Sequence, residues 1–363
     1  MRTYLIMTEA ATEYDAVGNE IAIMAELFSG MGRCMVYAER QINPRLKYVE
    51  EAALEALLQS PDTVAVYHHS GYWAKGEECL RLALGGQLIR YHGITPPEYY
   101  SPYNAAAEED SRLGREQTLR MAAELKKAHW LCDSAFLAAE LRSTAAKDRS
   151  SVFPLFHRSE DWAKAIPDEA LLRSLVFSDK VNLLFVGRTA PQRRLEMLLE
   201  ILRIYRENYG DGITLRMLGR QDGELESYQA KLRSLVEEYG LSDCVYILGE
   251  VSENTMSAYY LGCDYYISVS EYEGFCAPVA EAQYFKMPVI LRNAAALPEI
   301  GGEGALILGD DPKEYAAALH VLRQHEELRR WLRNKGRENY EKRFNAEWMK
   351  QRFKGMLKEW DMV

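Results

Sequence analysis

Short apolar runs alternate along the chain with longer stretches in which apolar residues return every three or four positions. The first run, TYLIM, predicts a strand. NEIAIMAELFSGMG then places Ile21, Met24, Ala25 and Phe28 on one helical face, with Gly30 and Gly32 ending the helix. CMVYAE, TVAVYHH, QLIRYHG, HWLCDS and SSVFPLF continue the strand series, with helical patterns such as REQTLRMAAELKKA between several of them. Alternation of this kind predicts a parallel sheet covered by helices on both faces. After a polar, irregular stretch, FHRSEDWAKAIPDEALLRSLVFSDK, the rhythm restarts with VNLLFVG, ITLRML, CVYILG, YYISVS, PVIL and ALIL, and the chain from DPKEYAAALHVL onward reads as helix. The pattern predicts an α/β protein of two doubly wound, Rossmann-like domains, residues 1–160 and 161–340. A helical terminus, 341–363, is expected to pack back toward the first domain.

A length of 363 residues fits two cores better than one. With 48% hydrophobic and 27% charged residues the balance is that of a water-exposed globular chain. The formal net charge of −10 argues against a general nucleic-acid binder, which needs surplus Lys and Arg to neutralise phosphates. Cysteines 34, 79, 132, 244, 263 and 276 form no CxxC pair and mostly sit in apolar runs, which predicts buried free thiols in a reducing cytosol. No apolar stretch approaches the roughly 18 residues of a membrane span, and the opening MRTYLIMTEAATEYD lacks a cleavage-site pattern. The expectation is a cytoplasmic protein.

In doubly wound sheets ligands bind beyond the carboxyl ends of strands, so motifs at strand ends matter most. SEYEGFCAPVAEA follows the strand YYISVS and carries Glu273 and Glu281. Gly274 permits a tight turn and Pro278 suits a first helical turn. Amides near Phe275–Val279 would then face an anion, with a carboxylate at each end of an elongated ligand. The plainer alternative is that Glu281 makes a surface ion pair and Glu273 caps the turn. LLFVGRTAPQRR ends a strand at Gly187 and places Arg188 and Arg193 on its exit loop, where two guanidinium forks suit a pyrophosphate; a solvated basic loop is the alternative, and Arg194 has no assigned role. Gly18 and Asn19 are expected just before a helix, as a second phosphate-facing turn or as an ordinary helix entry. His68 and His69 are expected to hydrogen-bond within a loop. His92 ends a strand beside a proline-stiffened loop. No HxxxH and no carboxylate partner accompanies these histidines, so no metal site is expected.

The second half, in FVGRTAPQRR, LRMLGR, VYILGEVSENTMSAYYLGCDYYISVSEYEGFCAPVAEAQYFKMPVIL and LPEIGGEGALIL, resembles the family-4 retaining glycosyltransferases with the GT-B fold, in which two Rossmann-like domains face a cleft. The first half, through DAVGNEIAIMAEL, VYAERQINPRL, VYHHSG and YHGITPPEYYSPYN, is similar to a bacterial polysaccharide-assembly subset of that family. The resemblance implies a nucleotide-sugar donor held by the second domain. Glu281 would bind the ribose hydroxyls, and Arg188 and Arg193 the diphosphate. Glu273 and the backbone of Phe275, Cys276 and Ala277 would face the sugar, and the Val279 amide a phosphate. His92 would contact the transferred sugar, and Gly18 would approach the diphosphate from the other side. Three positions depart from the family pattern: Arg193 stands where a lysine is usual, and Arg194 and Cys276 where glycines are. A side chain at 276 either narrows the sugar space or demands a negative φ.

The implied reaction is metal-independent transfer of a hexose, with retention, from GDP-mannose or a UDP-hexose to a saccharide or lipid-linked acceptor, without a cofactor. A peripheral contact with the inner membrane is left open. Rival readings are a nucleotide-sugar epimerase or a phosphorylase on the same fold, and a non-catalytic sugar-nucleotide-binding partner subunit.

Overall fold

A computed structural model describes residues 1–13 and 15–363. It divides into two compact units. In chain order the elements are β1 (Thr3–Ala11), α1 (Ala16–Ser29), β2 (Arg33–Gln41), α2 (Glu51–Leu58), β3 (Thr63–His69), α3 (Ala74–Leu82), β4 (Gln87–Tyr91), α4 (Ala105–Glu124), β5 (His129–Cys132), α5 (Ala135–Glu140) and β6 (Ser150–Val152). They continue with α6 (Ser159–Lys164), α7 (Glu169–Val176), β7 (Val181–Val186), α8 (Leu195–Tyr209), β8 (Ile213–Leu218), α9 (Glu226–Glu238), β9 (Val245–Gly249), α10 (Glu253–Gly262), β10 (Tyr265–Ser268), α11 (Ala277–Tyr284), β11 (Val289–Arg292), α12 (Leu297–Gly301), β12 (Ala305–Leu308), α13 (Pro312–Gln324), α14 (Glu326–Arg343) and α15 (Ala346–Glu359).

Unit one comprises residues 1–97, 108–157 and 344–363. Its sheet runs β2-β1-β3-β4-β5-β6, all parallel. Strands β3 and β4 are buried along their whole length, as expected for strands covered on both faces. The terminal segment belongs to this core. Phe353 of α15 meets Phe28, Phe153 and Phe156 at ring-centroid distances of 5.8, 5.5 and 5.8 Å, and the Tyr4 hydroxyl donates to the Met362 carbonyl at 3.1 Å.

Unit two comprises residues 98–107 and 158–343. Its sheet runs β12-β11-β10-β7-β8-β9, again all parallel. Read from β9, strand order is that of a dinucleotide-binding sheet, and it reverses between β7 and β10. The amphipathic face of α8 supplies Leu198, Leu199, Ile201, Leu202 and Tyr205 to a core shared with β7, β8 and β10. The expected domain limits therefore shift in three places. Residues 98–107, read as part of the first domain, pack into unit two, as do 158–160 and 341–343. The reason is local: Tyr100 packs with Ala190 and Leu225, and the Asn104 side chain donates to the Glu224 carbonyl at 2.7 Å.

Candidate functional site

The site in unit two is built by the exits of β7 and β10, the two strands flanking the point where strand order reverses. At the first exit the chain leaves β7 through Gly187, whose amide donates to Leu218 O at 2.8 Å. This ties the β7 and β8 exits together. Gly219, at φ +132°, lies so close that a Cβ there would fall 2.2 Å from Gly187 O, so the pairing requires glycine. Arg188 follows. Its guanidinium donates to the Tyr100 hydroxyl at 2.8 Å and lies 3.4 Å from the Asp222 carboxylate. Pro191–Arg193 form a short 3-10 turn that points Arg193 into the site. Arg193 is ion-paired with Glu273, and among the described residues its Nε has no hydrogen-bond partner. Burial, with the neighbouring Arg188 charge adding to it, lowers the Arg193 pKa against the pull of Cys276. Arg194, unassigned in the sequence, pairs with Glu271 at 2.5 Å, while the Glu271 amide donates to Gln192 O at 2.8 Å. The β7 loop is thereby braced against the β10 loop.

At the second exit, the surface reading of the two glutamates fails: Glu273 and Glu281 are both buried. Ser270 Oγ donates to Glu273 Oε1 at 3.1 Å. Glu281, on α11, accepts from the Tyr260 hydroxyl at 2.7 Å. Burial pushes its carboxyl up to about 8, with Tyr260 and Arg158 opposing. A carboxyl in this state holds its proton at neutral pH unless a ligand supplies donors to the ionised form.

The turn between them differs from expectation. Among the described residues, the left-handed backbone falls on Cys276, at φ +72°, and not on Gly274. The side chain at 276 is therefore accommodated without a negative φ, and its buried sulfur lies 3.6 Å from the Tyr266 hydroxyl. Arg194 behaves alike at φ +52°. Both positions where glycine is usual keep a glycine-like backbone under a larger side chain. Pro278 is the second residue of α11, as expected. The Val279 amide, expected to face a phosphate, donates instead to Cys276 O at 3.0 Å, because the tight turn closes on itself.

In unit one, Gly18 and Asn19 lie inside the first turns of α1 and not before it. Asp15 is the N-cap and its carboxylate takes the Gly18 amide at 2.7 Å, so that amide is already engaged. Glycine is needed at 18 because a Cβ would fall 2.4 Å from Thr12 O. His68 and His69 belong to β3, not to a loop. The expectation that no carboxylate accompanies the histidines is also corrected. His92 Nδ1 lies 2.9 Å from Asp133 Oδ2, and its Nε2 lies 3.0 Å from His68 Nδ1 and 3.6 Å from Glu20 Oε2. Glu20, His68 and His92 bring three ligand-type atoms within 4.8 Å of one another. Arg90, however, engages both Glu20 oxygens, at 3.0 and 2.8 Å, and also meets Asp133 at 2.9 Å. A guanidinium already occupies the cation's place beside Glu20, and the two rings face each other at hydrogen-bond distance. The cluster suits a shared proton better than a metal ion. Burial holds His68 well below its ordinary pKa, so it stays neutral.

Sequence reasoning missed Glu20, Asp133, Tyr100, Tyr260 and Asp222. Only Arg90, set inside the strand QLIRY, carried a visible signal: a charge within a buried strand requires a buried partner.

Two parallel doubly wound sheets, with basic and acidic side chains gathered at the strand-order reversal of the second, define an α/β architecture of the GT-B class. Residues 169–339, which lie within unit two, match the family model described as glycosyl transferases group 1. Among curated relatives, a D-inositol 3-phosphate glycosyltransferase of Geodermatophilus obscurus is 29% identical over 159 residues, covering 42% of this chain and 35% of the relative. The serotype-specific mannosyltransferase WbdA of Escherichia coli is 26% identical over 205 residues, covering 52% of this chain and 24% of the relative. The matched region thus spans about a quarter to a third of these relatives' own length. Among solved structures, sucrose-phosphate synthase from Thermosynechococcus elongatus aligns over 99% of both chains with a TM-score of 0.78 at 17% identity. Anabaena Alr3699/HepE in complex with UDP-glucose aligns over 99% of this chain and 100% of its own, with a TM-score of 0.78 at 12% identity. These likenesses establish the fold. No described helix is long and apolar enough to cross a membrane.

Proposed function

We propose that the chain is a retaining, metal-independent glycosyltransferase. It would move a hexose from GDP-mannose or a UDP-hexose to a saccharide or lipid-linked acceptor in bacterial surface polysaccharide assembly, at the cytoplasmic face. One observation carries the reading: Arg188, Arg193, Glu273, the start of α11 and Glu281 meet at the strand-order reversal of unit two. The matched family domain and the relatives named for glycosyl transfer support it.

The chemistry follows from charge. As the bond from anomeric carbon to diphosphate oxygen breaks, its electron pair stays on the diphosphate and the sugar becomes oxocarbenium-like. Two guanidiniums aimed at that oxygen stabilise the transition state more than the ground state. The acceptor oxygen forms the new bond on the face the diphosphate leaves, and a diphosphate oxygen takes its proton. Glu281 would receive the ribose hydroxyls. Glu273 would receive sugar hydroxyls once Arg193 turns to phosphate, and in this scheme neither glutamate is a nucleophile. His92 is retained as a candidate sugar contact; a hydroxyl binding its Nε2 would replace His68.

The test is a panel of sugar nucleotides incubated with the purified chain, following nucleotide release, then the anomeric configuration of the product by NMR. Chelator should leave the rate unchanged. Release without a glycoside, or sugar interconversion on the intact donor, would favour the epimerase reading. Phosphorolysis with a bound pyridoxal chromophore would favour a phosphorylase. Binding without release from any donor would leave a non-catalytic subunit.

A further inference from the structure

Each arginine of the site faces a carboxylate of the chain itself. Arg193 is paired with Glu273, which the reading above already uses. Arg188 is paired with Asp222, which it does not. Asp222 lies just beyond β8, and its delivery is built into the backbone. Gly219 packs on Gly187, the Thr189 amide donates to Arg220 O at 3.0 Å, and Gln229 holds the Asp222 carbonyl at 2.6 Å. The carboxylate is shared: Oδ2 faces Arg188 at 3.4 Å, and Oδ1 faces Arg220 Nε at 2.5 Å. Asp222 is largely covered while Arg188 remains more than a third exposed. The pair is thus accessible to an anion from the Arg188 side, and Asp222 keeps a second cation if Arg188 leaves it.

We propose that Asp222 is an internal competitor for the diphosphate. It neutralises Arg188 in the free protein, passes to Arg220 alone when a nucleoside diphosphate arrives, and re-pairs with Arg188 as the product leaves. It rests on the nucleotide-site reading and adds a residue that weakens product binding. Arg188 pays less on release because it is never left bare. The long 3.4 Å contact to Arg188, against 2.5 Å to Arg220, marks the bond that exchanges. Tyr100, whose hydroxyl accepts from Arg188 at 2.8 Å, keeps the guanidinium in place during the exchange.

The experiment titrates UDP and GDP, and separately uridine and guanosine, into wild type, Asp222→Asn and Asp222→Ala, with folding checked by thermal unfolding. For whichever diphosphate the wild type binds, both variants should bind roughly three- to tenfold tighter. The matching nucleoside should be unchanged. Rapid-mixing displacement should show the gain as slower diphosphate dissociation. Unchanged or weaker diphosphate binding in the folded variants overturns the competitor role and leaves the nucleotide site standing. Equal tightening for the nucleoside overturns it too, since the effect would not act through the clamp. Failure of the wild type to bind either diphosphate removes both this role and the site beneath it.

Discussion

Glu281 allows one side chain to be tested in two opposite directions. Its carboxyl is buried, touches the Tyr260 hydroxyl, and is pushed up to about 8 from 4.5 by burial. Between those values the folded chain holds a proton that the unfolded chain has released. The stability this proton contributes is fully present below pH 4.5 and is lost as pH rises through about 8. The slope is about 1.4 kcal/mol per pH unit, so the whole window is on the order of 3–5 kcal/mol. Glu281→Gln keeps the shape and removes the titration. Urea unfolding of both proteins from pH 5 to 9 should therefore show the wild type losing stability relative to the variant as pH rises, then levelling above about pH 8. Nucleotide affinity should move the other way. Ribose hydroxyls donating to the carboxylate select its ionised form, so wild-type affinity should rise by up to about tenfold per pH unit below 8 and then flatten. The variant should bind weakly at every pH. A stability difference that does not vary with pH would refute the burial argument. An affinity that falls or stays flat while the stability slope is present would refute the ribose assignment alone.

Other outcomes are accessible to the same methods. Arg188→Ala should mainly lower turnover, by about 2–4 kcal/mol in activation free energy, while Glu281→Ala mainly weakens donor binding; steady-state kinetics on the donor identified by the panel separates them. Cys276→Gly should stabilise by about 1 kcal/mol in chemical denaturation, because the left-handed backbone at 276 suits glycine better than cysteine; a loss would show that the buried sulfur contributes more by packing than the backbone costs. Glu20→Gln should destabilise unit one by about 3–5 kcal/mol, since it leaves Arg90 buried with half its anionic partners; a change below about 1 kcal/mol would contradict that network.

Much of the fold was legible because each strand is a short apolar run bounded by turn residues. TVAVYHH and VNLLFVG become β3 and β7 with little change of limits. The helix face of Ile21, Met24 and Phe28 is buried as read, but Ala25 is only partly so, and Glu20 joins that face. A glutamate reads as solvent-facing in any pattern; its partners Arg90, seventy residues on, and the Phe156 amide make burial tolerable, and those distances hide them. The site was legible where a local motif carries it, as with Arg193, Glu273 and Glu281. It was not legible where backbone closure decides. The Val279 amide and the Gly18 amide both look available in sequence, yet a tight turn and an Asp15 cap engage them. Nor does sequence spacing reveal that EYYSPYNAAA packs with unit two, because its contacts are to Ala190, Leu225 and Glu224.

The interleaving of the two units sets an order of events during synthesis. The backbone passes from one unit to the other after residues 97, 107, 157 and 343. Unit one therefore leaves the ribosome as an open core whose aromatic wall at Phe28, Phe153 and Phe156 has no Phe353 to meet. Residues 158–343 follow with the Tyr100 segment already waiting, so unit two can finish first. No single cut releases either half intact: a fragment starting at 158 loses the tyrosine that steadies Arg188, and one ending at 157 keeps its apolar wall in water.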